Sequence, residues 1–147
     1  MLDKELIKTK IELIQRDMER LEELKGFTID EIAKDFYKWS TLKLVMVEII
    51  GRAVDINSHV IAELGDLKEK APDSLKETFL RMGKMKILPD DFTKEIAESA
   101  SFRNKIVHEY NHLLEEKVYE TVNDALSQYT QYCGYILKFL ESHKEEK

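Results

Sequence analysis

The stretch TLKLVMVEIIGRAVDINSHVIAEL, residues 41–64, determines the fold class more than any other part of the chain. Its apolar residues recur about every three to four positions, which is the period of an amphipathic α-helix. Between Leu44 and Ile50 the apolar stripe broadens, which predicts burial on more than one side. A helix of this kind needs neighbours, so we expect it to lie within a bundle of helices.

Upstream of this stretch, the same period predicts a first helix over residues 6–24, which Gly26 can terminate. Thr28 and Glu31 form a capping-box pattern, in which each side chain accepts a backbone N–H from the other residue, and this pattern predicts a second helix start. From there the apolar pattern runs almost without interruption through the quoted stretch, which is long for one helix. We therefore expect a break or kink between residues 35 and 41.

Downstream of the stretch, residues 65–73 lack the helical period and predict a linker. A short helix follows, and residues 83–89 predict a second loop because they begin with a glycine and end with a proline. Pro89 and Asp90 predict the start of a further helix, and a last helix is expected from about residue 115 to residue 142. The chain as a whole predicts an all-α, four-helix up-down bundle with one or two short extra helices.

Length and composition set the class of protein. With 147 residues, 43% of them hydrophobic and 35% charged, we expect one globular helical domain over residues 1–147, with an N-terminal helix in residues 1–26 and a frayed tail at residues 143–147. No apolar run is long enough to span a bilayer and the N-terminus is charged, so a soluble cytoplasmic protein is expected. The net charge of −6 argues against a general polybasic nucleic-acid binder, so any RNA contact must come from a few placed residues.

Several single residues are ambiguous at this point. Cys133 has no second cysteine to pair with, and a small apolar filler in a helix is the favoured interpretation. Asp55 and His59 lie four residues apart, which favours a buried structural pair and leaves a position in a cleft wall as the alternative. The last helix is rich in tyrosine, for which packing is the default interpretation and base stacking the alternative.

Residues 103–110, RNKIVHEY, combine a fixed cation, an amide, an imidazole and a phenol. At about 100° per residue, Asn104 and His108 share one face, Arg103 and Tyr110 share another, and Phe102 and Ile106 point together to a side that would anchor the helix in the core. Arg103 and His108 do not converge ideally within one straight helix. Two copies facing each other across a dimer axis would bring them together more easily, so we expect a symmetric dimer.

These residue types suit metal-free cleavage of RNA, in which the 2′-OH of the substrate is the nucleophile. The His108 imidazole can move a proton near neutral pH, and the Arg103 guanidinium can hold a phosphate and stabilise the charge that develops on it. Asn104 would orient His108 or the phosphate. The chemistry requires neither a metal nor a cofactor, because the nucleophile belongs to the substrate and Arg103 supplies the positive charge.

In its context this segment resembles the R-N-x-x-x-H-x-Y motif of HEPN-domain proteins of the HepT type. The surroundings that agree are Asp55-Ile56 and His59-Val60-Ile61 upstream, Pro72-Asp73-Ser74 and Ile87-Leu88-Pro89 around the short helix, and Val118-Tyr119 downstream. The resemblance covers roughly residues 36–142, and residues 3–25 match it least.

The resemblance implies a toxin of a type VII toxin–antitoxin pair, namely a homodimeric helical-bundle ribonuclease with its active site in a cleft between protomers. Carried over by position, Arg103 and His108 are the catalytic pair and Asn104 is a supporting residue. The implied antitoxin is a small MntA-type nucleotidyltransferase that transfers AMP from ATP to Tyr110. RNA, a second copy of the chain and this enzyme are the partners expected from the resemblance.

Two other interpretations stay open. The chain could be a non-catalytic HEPN helical subunit that binds a partner nucleotidyltransferase and presents its substrate. A purely structural bundle is the third interpretation, and it leaves residues 103–110 without an explanation.

Overall fold

The computed structural model describes residues 1–109 and 115–143, without the side chains of residues 107–109, 115–116 and 118. The helices in these residues are α1 (Lys4–Leu24), α2 (Ile29–Lys34), α3 (Phe36–Leu64), α4 (Leu75–Lys84), α5 (Asp90–Glu109) and α6 (Glu115–Ser142). Four of them are long and two are short, and no strand occurs in the part of the chain described. The predicted all-α bundle with short extra helices is therefore confirmed. The end of the predicted frayed tail, residues 144–147, lies outside the described residues.

Polar side chains at the helix starts explain where the helices begin. The hydroxyl of Thr28 accepts the backbone N–H of Glu31, and the carboxylate of Glu31 accepts that of Thr28, so the predicted capping box is present. The predicted break falls at Asp35, whose backbone is extended and whose carboxylate accepts the N–H groups of Tyr37 and Lys38. Asp35 is therefore both the C-cap of α2 and the N-cap of α3.

The second predicted loop is shorter than residues 83–89, because Gly83 lies inside α4 and not after it. A Cβ atom at Gly83 would be 2.6 Å from Cγ2 of Thr93 in α5. The glycine therefore serves the close approach of two helices, which the sequence pattern alone does not distinguish from a helix stop. The turn itself is made by Lys86, whose φ of 62° is in the left-handed region.

The core is mostly apolar, and its buried polar groups include two hydrogen-bonded tyrosines from α6. The hydroxyl of Tyr132 donates to Oδ1 of Asn57 at 2.6 Å, and the amide of Asn57 donates to the hydroxyl of Thr78 at 3.2 Å. The hydroxyl of Tyr129 is 2.6 Å from that of Ser99. Because a buried polar group without a partner is costly, these bonds favour one arrangement of α3, α4, α5 and α6.

The helices that carry the site are joined by long-range contacts. α1 packs along α3, and α3 also contacts α4 and α5. Lys10 pairs with Asp55 while the later residue Asp17 pairs with the earlier residue Arg52, so α1 and α3 run antiparallel. In residues 1–109 and 115–143, no helix combines the length and apolar character needed to cross a membrane.

Candidate active-site groove

The second half of α5 is held in the core by Phe102 and Ile106, which are both buried as predicted. Between them Arg103 is half-buried and Asn104 is exposed. The backbone of His108 belongs to α5, but its side chain lies outside the described residues, as does the whole of Tyr110. The predicted roles of His108 and Tyr110 therefore stay predictions.

Arg103 lines an open groove with a volume of about 400 Å³, a size within the range of ligand sites in proteins. The other lining residues come from α1 and α3, and they are Lys10, Leu13, Val47, Glu48, Gly51, Arg52 and Asp55. Gly51 has open space beside its α-carbon, which keeps the groove wide at that point. Asn104 is not among the lining residues, and its predicted supporting role is untested.

Most charges of the groove are already paired. Nζ of Lys10 is 3.0 Å from Oδ2 of Asp55, and Nη2 of Arg52 is 3.2 Å from Oε2 of Glu48. Arg52 also donates through Nη1 to Asp17, whose carboxylate is buried beneath the groove. With its several acceptors, Arg52 stiffens the contact between α1 and α3.

Arg103 differs from these cations, because no carboxylate among the described residues pairs with it. Its Nε is buried and has no hydrogen-bond acceptor in the part of the chain that the structure describes. A buried N–H without a partner costs on the order of 1–3 kcal/mol, which marks Arg103 as a position where function can outweigh stability. A guanidinium binds a phosphate through two parallel hydrogen bonds, so Arg103 is suited to hold one phosphodiester in this groove.

The favoured interpretation of Asp55 and His59 as a buried pair was wrong. Asp55 is exposed and pairs with Lys10, whereas Nε2 of His59 accepts the backbone N–H of Asp3 at 2.9 Å. Both residues find partners in α1 or at its start, and the sequence spacing within α3 cannot foresee partners on another helix. Asp55 instead fits the alternative interpretation, since it lies in the groove wall.

Three buried side chains of α6 are structural. Burial raises the pKa of the Cys133 thiol to about 12, so the interpretation of Cys133 as an apolar filler is confirmed and no thiolate is available. Burial likewise raises the pKa of the Tyr129 and Tyr132 phenols far above the usual range. Both rings lie in the core, so neither can stack on a base.

Four charged residues of the groove region were not foreseen from the sequence. The ion pair of Glu48 with Arg52 could have been predicted from their spacing, because opposite charges four residues apart on a helix attract each other. Asp17 was also recognisable in the sequence, because it is an acidic residue within the apolar stripe of α1, three residues after the buried Ile14. Nothing in the sequence distinguished Lys10 from the other lysines of α1.

A second and larger cavity, of about 470 Å³, lies at the opposite end of α5. Its lining residues are Lys86, Ile87, Leu88, Pro89, Asp90, Tyr135, Lys138, Phe139 and Ser142. It contains none of residues 103–110, and one of its two lysines, Lys86, is paired with Asp90 at 3.7 Å. The smaller groove at Arg103 is therefore the better candidate for the site.

Comparison with known proteins identifies a family. Residues 14–136 match the model of the family described as ribonuclease HepT-like. The tRNA nuclease HepT of Aphanizomenon flos-aquae is 30% identical over 141 residues, which cover 96% of this chain and 94% of that protein.

Solved structures share the fold at lower identity. One is a crystal structure of a toxin–antitoxin with AMP-PNP, with a TM-score of 0.81, 19% identity, and coverage of 91% of this chain and 98% of that one. Another is a tri-AMPylated Shewanella oneidensis HEPN toxin in complex with MNT antitoxin, with a TM-score of 0.81, 20% identity, and coverage of 92% and 99%. At these identities the likeness shows the fold, and the predicted HEPN-like architecture is confirmed.

Proposed function

This chain belongs to the ribonuclease HepT-like family, and on that basis we propose that it is a metal-independent endoribonuclease, the toxin of a type VII toxin–antitoxin pair. The observation that carries the proposal is Arg103, which lines the groove, has no carboxylate partner among the described residues and is part of the R-N-x-x-x-H-x-Y motif. The relative named tRNA nuclease supports RNA as the substrate class. With RNA as substrate, we expect the chain to act in the cytoplasm.

The proposed reaction breaks the bond between phosphorus and the 5′-oxygen of one phosphodiester. The 2′-oxygen attacks phosphorus and forms a 2′,3′-cyclic phosphate, and the 5′-oxygen leaves as a hydroxyl. His108 carries out one of the two proton transfers, either taking the proton of the 2′-OH or giving one to the leaving 5′-oxygen, and water carries out the other. Arg103 stabilises the extra negative charge on the five-coordinate phosphorus. Proton transfer and the stabilisation of charge therefore require neither a metal nor a cofactor.

A homodimer is part of the proposal, because Arg103 and His108 point about 140° apart on a straight helix. A surface on α3 supports pairing of two copies. Tyr37, Leu44 and Gly51 follow at intervals of seven residues and so share one side of the helix. Tyr37 is 79% exposed and Leu44 is 60% exposed. Because this apolar stripe continues into the groove at Gly51, a second copy covering it would lie next to Arg103.

An RNA-cleavage assay in the presence of EDTA tests the proposed activity. The purified chain is expected to cut unfractionated tRNA under these conditions and to leave 2′,3′-cyclic phosphate ends, since the attacking oxygen belongs to the cut nucleotide. His108→Ala should lose the activity. An oligonucleotide with 2′-deoxyribose at the cut position should stay intact, which provides the control on the substrate side.

Two results would contradict the proposal. Cleavage of the 2′-deoxy substrate would show that the nucleophile is not the 2′-OH. Absence of cleavage by a folded, pure chain that still binds a nucleotidyltransferase would favour the non-catalytic HEPN subunit.

The proposed antitoxin is an MntA-type nucleotidyltransferase that modifies Tyr110. In this reaction the phenol oxygen attacks the α-phosphate of ATP, AMP is transferred and pyrophosphate leaves. Tyr110 would follow Arg103 at about −20° on a continued helix, so phosphates added to it would neutralise the guanidinium. The solved complexes of a toxin with an antitoxin, one of them AMPylated, support such a partner for this chain.

Tyr110→Phe should stay toxic when the nucleotidyltransferase is co-expressed, because the acceptor oxygen is missing. Wild-type chain from the same cells should be harmless and gain mass in AMP-sized steps, while the Phe variant should gain none. Growth curves and intact-mass measurement check the two expectations. Full neutralisation of Tyr110→Phe would contradict the proposed regulation and leave the nuclease proposal untouched.

A further inference from the structure

Lys10 brings a second available cation to the groove, from a part of the chain that precedes the match to the family model at residues 14–136. We propose that Lys10 binds a backbone phosphate of the RNA, next to the phosphodiester held by Arg103, and that Asp55 holds Lys10 in place when RNA is absent. This inference rests on the RNA substrate of the proposed function. It assigns α1, the element that carries Lys10, a part in substrate binding.

The geometry of the ion pair suits an exchange of partners. Nζ of Lys10 lies 3.0 Å from Oδ2 of Asp55, and their side chains are 29% and 58% exposed. An ion pair this close to water is weak, because solvent screens the attraction and both side chains lose mobility. A phosphate entering the groove can therefore take over the ammonium group at little cost.

Arg52 is less suited to this role, although it lines the same groove. Its guanidinium is committed to the buried carboxylate of Asp17 and to Glu48. A phosphate would have to break the contact of α1 with α3 to engage it. Of the three cations in the groove wall, Arg103 has no carboxylate partner among the described residues and Lys10 has one weak partner.

The overall charge of the chain makes local cations necessary. At a net charge of −6 the protein repels RNA at long range, so binding depends on the few cations that the groove presents. One lysine that contacts a phosphate contributes to affinity without regard to base sequence, and it raises the salt dependence of binding.

Substitution of the two partners distinguishes phosphate binding from a structural ion pair. Binding of labelled unfractionated tRNA is measured in EDTA in a His108→Ala background, which prevents cleavage. Lys10→Ala should weaken binding about three- to tenfold and lower the slope of log Kd against log salt by about one. Asp55→Asn should tighten binding, because it frees Lys10 and removes a negative charge that faces the phosphate.

The exposed Lys8, on another side of α1, provides the matched control, and Lys8→Ala should leave both Kd and the salt slope unchanged. Weaker binding in both Lys10→Ala and Asp55→Asn would mean that the pair only supports the fold, and would overturn the inference. Unchanged binding in Lys10→Ala would overturn it as well.

The outcome is separable from that of the proposed function. If the His108→Ala chain binds tRNA with the expected dependence on Lys10 but the wild-type chain never cuts tRNA, the nuclease proposal fails and the assignment of Lys10 stands. If the wild-type chain cuts tRNA and Lys10→Ala binds it normally, the reverse holds. Absence of tRNA binding by the His108→Ala chain overturns the assignment of Lys10, and the nuclease proposal fails with it only if the wild-type chain also cuts no tRNA.

Discussion

Arg103→Ala should lower the rate constant for RNA cleavage about 10²–10³-fold, which is the usual effect of removing one donor that stabilises transition-state charge. The reason is that Arg103 has no carboxylate partner among the described residues and keeps its guanidinium free for the phosphodiester. Single-turnover cleavage of tRNA measures the effect on the chemical step. The thermal stability should change little, because Arg103 forms no ion pair with the described residues.

Two variants serve as controls for this prediction. Arg103→Lys keeps the charge but not the paired donors, so it should restore only part of the rate. The neighbouring Lys105 is exposed, and Lys105→Ala should cleave at nearly the wild-type rate. Equal loss in Lys105→Ala and Arg103→Ala would show that general positive charge matters and that Arg103 has no special role.

Mixing two inactive variants extends the same experiment to the proposed dimer. If each site combines Arg103 of one copy with His108 of the other, then Arg103→Ala and His108→Ala refolded together should regain about a quarter of the wild-type activity. Half of the dimers that form at random are mixed, and each mixed dimer holds one complete site of two. No recovery would mean that each copy uses its own pair.

Phe79→Ala should lower the free energy of unfolding by about 3–5 kcal/mol, the range for removing a large aromatic side chain from a core. Phe79 is fully buried in α4, and its ring centre lies 6.5 Å from that of Tyr129 and 5.9 Å from that of Tyr132. Its removal leaves a cavity between α4 and α6 and loosens the tyrosines that hydrogen-bond to α3 and α5.

Urea denaturation at one fixed protein concentration measures this loss, since the stability of a dimer depends on concentration. Leu80 follows Phe79 directly but is exposed at the helix surface, so Leu80→Ala should cost less than about 1 kcal/mol. Similar losses in the two variants would mean that Phe79 does not pack in the core as described.

Local features of the fold were predictable because they depend on neighbours in the sequence. The break at Asp35, the capping box of Thr28 and Glu31, and the anchoring of α5 by Phe102 and Ile106 all agree with the sequence pattern. In each case the residues that form the pattern lie within a turn or two of one another along the chain. The pattern also identified Arg103, since its residue type and spacing belong to a motif.

Features that depend on a second helix were not predictable in the same way. The sequence predicts a loop that begins at Gly83, because it does not show that Thr93 lies against this glycine. The partners of Asp55 and His59 lie in or next to α1, whereas spacing within α3 suggested that they pair with each other. A single helical period says which residues face inward, and it leaves open which helix they meet.

By itself the amino-acid sequence determined the helices, most of their ends, the fold class and the segment that carries Arg103 and His108, because periodicity, capping and motif spacing act over a few residues. Only the tertiary structure decided that Arg103 lines a groove together with α1 and α3, that Arg52 pairs with Asp17, and that Lys10 lines the same groove. The physical reason is that packing of the helices brings together charges that lie far apart along the chain.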